Sequence, residues 1–152
     1  MSKINVYIAG PYSGKNRQEV SDNIRVAKKL GQQLMLMDYN VYIPHCHTAH
    51  WEEETTIAYD DFLKLHLTFL KDWADILYFI KPSSGANLER KVAEILGIPV
   101  VTNIIDLEEV KTKMLSYNRR FVNSAKRRRR EGEESIEDIY RKGKKILEEE
   151  ER

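Results

Sequence analysis

Cysteine is almost missing from this sequence: its 152 residues include one, Cys46. A single thiol excludes an internal disulfide framework and suits a reducing compartment, so a cytoplasmic setting is expected. Long apolar runs are missing as well. None approaches the ~18 residues of a membrane span, so no membrane partner is expected. The first residues pass straight into a strand pattern, without a basic segment and apolar stretch, so no secretory leader is expected. Neither sign of charge predominates. The 25 Lys and Arg residues against 24 Asp and Glu leave a net charge of +1 at pH 7, too little for a bulk pull toward nucleic acid or membrane. No internal repeat is visible. What remains is 41% hydrophobic and 32% charged, the composition of one globular domain with a proper core and a highly charged surface.

Strand and helix patterns alternate along the first two thirds. Lys3–Ala9 is rich in β-branched and aromatic residues and stops at Gly10-Pro11, a strand signature. Residues 16–37 carry Val20, Ile24, Ala27, Leu30 and Leu34 at helical spacing. A short strand is predicted over 40–44, a polar loop over 45–55 and a helix over 56–73. A buried strand follows over 75–80, a helix over 88–96 closed by Gly97 and Pro99, and a strand over 99–103. This order predicts an α/β fold: a flavodoxin-like parallel sheet of 4–5 strands with helices on both faces. Ligands of such sheets bind beyond the carboxyl ends of the strands, where the Gly10, His45 and Ser83 loops fall. The composition shifts after Ile105. Residues 106–152 hold 14 basic and 12 acidic side chains among 47, with sparse periodic apolar positions. The reading is therefore an α/β domain over 1–105 and a C-terminal helical extension over 106–152. Two helices are predicted in the extension, broken near Gly132. The second is too polar to stand alone and must pack on the sheet domain or on another subunit.

The stretch Ser83-Ser84-Gly85-Ala86-Asn87-Leu88-Glu89 carries the strongest chemical signal. A turn of small residues between strand and helix leaves amides free at a helix N-terminus, which favours phosphate. Glu89 then stands beside an anion pocket, a placement that structure alone explains poorly. The first loop, Gly10-Pro11-Tyr12-Ser13-Gly14-Lys15, superficially matches a nucleotide P-loop. The match fails, because three residues separate the glycines and Asn16 replaces the magnesium-binding hydroxyl. The loop is either a turn needing glycine at positive φ or a turn whose backbone lines a ligand site; the second is favoured. Tyr7 ends up near Glu89 if the first and third strands are neighbours, and a buried tyrosine hydroxyl needs a partner.

Together these residues resemble the nucleoside 2-deoxyribosyltransferase superfamily, which includes the 2′-deoxynucleoside 5′-phosphate N-hydrolases. The resemblance spans about residues 4–102. It rests on Val6-Tyr7-Ile8-Ala9-Gly10, on Leu70 to Ile80 with Ala74-Asp75, and on Ser83-x-Gly85-x-x-x-Glu89 followed by Ala93 and Gly97. It implies Glu89 as the nucleophile on the anomeric carbon and Tyr7 as its hydrogen-bond donor, as in retaining glycosidases. It further implies that Ser83, where transferases of free nucleosides have aspartate, contacts a 5′-phosphate. Gly10, Pro11, Tyr12, Ser13, Ser84 and Gly85 then hold phosphate and sugar. The implied substrate is a nucleoside 5′-monophosphate, the implied cofactor and metal none, and the implied assembly a homo-oligomer in which a neighbour completes the site. The stripe Ile57, Phe62, Leu65 and Phe69 is a candidate interface. Base exchange on free nucleosides, or nucleotide binding without catalysis, are the alternatives. One position departs from the pattern: His66 stands where the family has aspartate. It is a candidate general acid near neutral pH, with Asp60 or Asp61 as substitutes if the helix is shifted.

Two further clusters invite other chemistry. His45-Cys46-His47-Thr48-Ala49-His50 lacks the two separated ligand pairs of zinc motifs; a loop covering the base, with His45 or Trp51 against it, is the favoured reading. The run Lys126–Arg130 is followed directly by Glu131, Glu133 and Glu134, and no aromatics interleave it. This argues against nucleic acid as a partner and for a solvated helix end beside acidic neighbours; pairing of its cations with Glu148–Glu151, in cis or across a dimer, is a further option.

Overall fold

The computed structural model describes residues 3–117, 119–132 and 134–152. Its elements run β1 (Asn5–Ala9), α1 (Arg17–Leu36), β2 (Asn40–Tyr42), α2 (Pro44–His47), a 3-10 turn at Trp51–Glu53, α3 (Tyr59–Trp73), β3 (Ile76–Phe79), α4 (Ser84–Ile95), β4 (Val100–Val101), α5 (Ile104–Ser116), α6 (Arg119–Glu131) and α7 (Ile136–Glu150). The four strands form one parallel sheet in the order β2-β1-β3-β4, a flavodoxin-like arrangement. β1 and β3 are neighbours, with Tyr7 opposite Leu77.

Period-two alternation assigns each strand residue to one of two cores. Tyr7, Ala9, Leu77 and Phe79 face the side covered by α3, α4 and α7. Ile4, Val6, Ile8, Ile76 and Tyr78 face the side covered by α1 and α5. Both faces of β1 and β3 are therefore buried, as a parallel sheet requires. Leu67, Leu70, Leu77 and Val92 are completely enclosed, each contributing about 1.5–3 kcal/mol of transfer free energy.

Several boundaries differ from the sequence expectation. α1 is not among them: it starts at the expected Asn16, whose side chain caps it by accepting from the Glu19 amide at 2.9 Å. Part of the expected 45–55 loop is ordered as α2 and the 3-10 turn, with Pro44 at the start of α2 where its missing N–H costs nothing. α4 begins four residues earlier than its periodicity suggested, because Ser83 caps it. The region after β4 holds three helices among the described residues rather than two. The extra boundary is at Tyr117, whose extended backbone (φ −76°, ψ 134°) ends α5; the expected break near Gly132 separates α6 from α7.

α7 does not stand away from the sheet domain. Its Ile139 and Tyr140 share a core with Leu88 and Val92 of α4. α6 instead reaches the amino ends of the strands. Lys126 Nζ lies 2.7 Å from buried Asp75 Oδ1, and Asp75 Oδ2 accepts from the Asn5 amide at 2.8 Å. Arg129 donates to the Ala74 carbonyl at 2.6 Å. Two cations of the basic run are thus structural, and Arg127 pairs with Glu131 at 2.9 Å. Within the chain, Glu150 pairs with Lys91 at 2.8 Å rather than with the basic run.

Candidate functional site

The strand order reverses between β1 and β3, and the loops leaving their carboxyl ends open a cavity of about 310 Å³. This is the crevice where open α/β sheets take ligands. Gly10, Tyr12 and Ser13 line it from the loop after β1, and Ser83, Ser84, Gly85 and Glu89 from the start of α4. His45 and His66 form part of the opposite wall.

Local sequence explains the α4 end. Ser83 Oγ accepts from the Ala86 amide at 3.1 Å, leaving its own O–H free to donate. The amides of Ser84 and Gly85, in the first turn, have no intrahelical acceptor. Gly85 permits a close approach at this end: a Cβ there would sit 2.8 Å from the Tyr59 hydroxyl. Gly10 also serves close approach, since a Cβ there would meet Ile80 Cδ1 at 3.0 Å. Neither Gly10 nor Gly14 adopts positive φ, so the turn explanation based on left-handed backbone does not apply.

Glu89 lies in the second turn of α4 and is only 4% exposed. The Tyr7 hydroxyl donates to its Oε2. Burial pushes the Glu89 carboxyl up to about 8, opposed by the Tyr7 hydrogen bond. Burial and the adjacent carboxylate push the Tyr7 phenol well above its ordinary value, so Tyr7 keeps its proton and remains the donor. Tyr7 is not itself a lining residue; it acts through Glu89. Pro11 likewise stands behind the wall, its carbonyl 2.7 Å from His45 Nε2. That contact fixes His45 across the cavity, and burial lowers its imidazole pKa.

His66 is buried, with Nε2 3.1 Å from Thr48 Oγ1. Burial, followed by His47 and His45 nearby, pushes it down to about 4. It is therefore neutral at pH 7, and an imidazolium proton is not available to it in the resting site. Asp60 and Asp61 are not lining residues; Asp60 faces Lys144 at 3.6 Å. Trp51 is also off the cavity wall and packs edge-on against His47 and Phe62.

Sequence reasoning missed Thr48, Glu52 and Tyr59, all on the wall. Tyr12 links two of the loops: its hydroxyl donates to Glu52 Oε1 at 2.7 Å and accepts from the His50 amide at 2.9 Å. Partial burial pushes Tyr12 up to about 12. The helical stripe on α3 does not form one outward face. Phe62 and Ile57 line the cavity, and Phe69 stacks on Tyr42 at 4.6 Å, while Leu65 is exposed.

Comparison with family models, curated proteins and solved structures returns no match. Among the described residues no group of His, Cys, Asp or Glu is arranged to hold a metal ion. His47 instead meets the Tyr42 hydroxyl at 2.7 Å, and His50 lies 3.5 Å from Glu53. No helix is long and apolar enough to cross a membrane among those residues. The described lining residues include Glu52 and Glu89 but no lysine or arginine.

Proposed function

We propose that this protein cleaves the N-glycosidic bond of a nucleoside 5′-monophosphate, releasing free base and sugar 5-phosphate. The observation that carries this reading is the buried Glu89 carboxyl, held by Tyr7 on the wall of a cavity that also exposes the first turn of α4. In the proposed reaction the ionised carboxylate attacks the anomeric carbon. The C1′–N bond breaks, its electron pair leaves with the base, and the base takes up a proton. Water then attacks the same carbon, frees Glu89 and completes the sugar 5-phosphate. The Ser84 and Gly85 amides and the Ser83 hydroxyl suit the phosphate, helped by the positive end of the helix dipole. Neutral His66 offers a hydrogen bond rather than a stored proton, and Glu89 reacts as the carboxylate, so protonation of the base falls to water. On this reading the working form is a homo-oligomer without metal or organic cofactor.

The test is chromatographic detection of free base from a panel of ribo- and deoxyribonucleoside monophosphates. Glu89→Ala should lower release at least about 1,000-fold, because the nucleophile is gone, while circular dichroism stays unchanged. Release surviving that substitution rejects the mechanism. A nucleotide that raises Tm without any release indicates a binding module instead.

One observation favours a second reading. With no lysine or arginine on the described wall, a neutral nucleoside fits as well as a dianion, and base exchange between nucleosides becomes the activity. Exchange of a labelled base into an unphosphorylated deoxynucleoside, exceeding release from the monophosphate, selects it.

A further inference from the structure

Among the described residues, Glu52 is an acid with no counter-ion, on the wall of a cavity lined by no lysine or arginine. It lies on the 3-10 turn Trp51–Glu53, is exposed and lines the cavity, and it makes no ion pair with the described residues. Yet its position is fixed. The Tyr12 hydroxyl donates to Oε1 at 2.7 Å, and the same hydroxyl accepts from the His50 amide at 2.9 Å. The turn is tied to α1 besides, through Arg17 and Glu53 at 3.4 Å. An exposed side chain has many rotamers to lose, so this double anchorage gives Glu52 one direction. A carboxylate holds about four acceptor sites, of which Tyr12 uses one. It offers nothing to a phosphate and repels it.

We infer that Glu52, positioned by Tyr12, is the specificity residue for the nucleoside part of the ligand rather than its phosphate, accepting a hydrogen bond from an N–H or O–H donor there. This rests on the proposed function and deepens it. The phosphate goes to the first turn of α4, where amides point outward; the donor-bearing end faces the acid. Two parts of a nucleotide supply such a donor, an exocyclic amino group of the base or a sugar hydroxyl. A ligand with a carbonyl or a second phosphate at that point meets a lone pair or a negative charge and is rejected.

The test couples ligand changes to Glu52. In a Glu89→Gln background, which leaves the ligand intact, Kd is measured by calorimetry for three pairs. Adenosine 5′-monophosphate is compared with its 6-deamino analogue, a ribonucleotide with its 2′-deoxy form, and a 2′-deoxynucleotide with its 2′,3′-dideoxy form. One pair should differ by about 10-fold, as expected for a hydrogen bond to a charged acceptor. That difference should shrink to within about 2-fold on adding Glu52→Gln, and partly on adding Tyr12→Phe. The sensitive pair identifies the donor as amino group or hydroxyl. Glu52→Ala repeats the measurement if the glutamine variant is poorly folded. A general loosening of the loop would weaken both members of every pair equally, and that outcome overturns the inference. So does the absence of any coupled pair while nucleotides still bind and the unmodified protein still releases base; the glycosidase reading then stands alone. If no nucleotide binds and no base is released, both readings fall.

Discussion

Glu89 and Tyr7 set each other's protonation, and the pH dependence of the protein follows from that pair. Burial raises the Glu89 carboxyl to about 8, and the hydrogen bond from Tyr7 opposes the rise. If the carboxylate is the nucleophile, base release climbs as pH rises toward about 8 and levels off above it. Tyr7→Phe removes the opposing bond, so this limb moves to higher pH. The rate falls on the order of 10- to 100-fold, the cost of one hydrogen bond to a charged group. A pH–rate profile of the two proteins checks both effects; an unmoved limb means that Glu89 is not the titrating group. The same shift is a stability statement. The folded carboxyl holds its proton between the ordinary value of 4.5 and about 8 while the unfolded one does not. Its stabilising contribution is complete below 4.5 and is lost as pH rises through about 8. Glu89→Gln should therefore flatten the fall in Tm between pH 5 and pH 9. A parallel fall in both proteins would contradict the burial.

At the scale of elements, the basic run on α6 divides into residues with opposite consequences. Lys126 and Asp75 form a largely buried pair, and Arg129 holds the Ala74 carbonyl. Lys126→Ala takes the ion-pair partner from buried Asp75 and leaves it the Asn5 amide and the field of Arg129, a loss of about 3 kcal/mol. For a chain of this size that lowers Tm by about 6–12 °C. Arg128 lies on the exposed side, and Arg128→Ala should leave Tm within about 2 °C. Differential scanning calorimetry of the two variants separates a clamp from a solvated charge; equal effects would remove the clamp. Nothing in the local sequence distinguishes Lys126 from Arg128, because Asp75, the partner that buries Lys126, lies about fifty positions away. The same limit separates what was legible from what was not. Alternation in β1 and β3, the α1 stripe and the Ser83-x-Gly85-x-x-x-Glu89 spacing are local, and they placed the sheet and Glu89. The start of α4 was misplaced because Ser-Ser-Gly-Ala reads as a turn by composition, while Ser83 caps a helix through it. Tyr12 and Glu52, forty residues apart, leave no periodic trace. The break at Tyr117 has no glycine or proline to announce it, since an extended ψ there is open to any residue.

For the molecule as a whole, the question is whether the charged C-terminal region supports the site or merely follows it. α7 presents Ile136, Ile139, Tyr140, Gly143 and Leu147 along one face, the spacing of a helix docked on a core. The dock is against α4, the helix that carries Glu89. At Gly143 the approach is close: an added Cβ would lie 3.1 Å from both Leu88 Cδ1 and Val92 Cγ2. Leu88 adjoins Glu89 in sequence, so displacement of α4 at this point moves the carboxylate relative to Tyr7. Gly143→Leu should cost about 2–3 kcal/mol by overpacking and reduce base release in the same variant. Gly143→Ala should stay within about 1 kcal/mol, as helix propensity offsets the tighter contact. Denaturant titration paired with the release assay reads both quantities. If α7 were an attachment without influence on the site, Gly143→Leu would lower stability and leave the rate of the folded fraction unchanged. A joint loss, with recovery in the alanine variant, places the last helix among the elements that hold Glu89 against Tyr7.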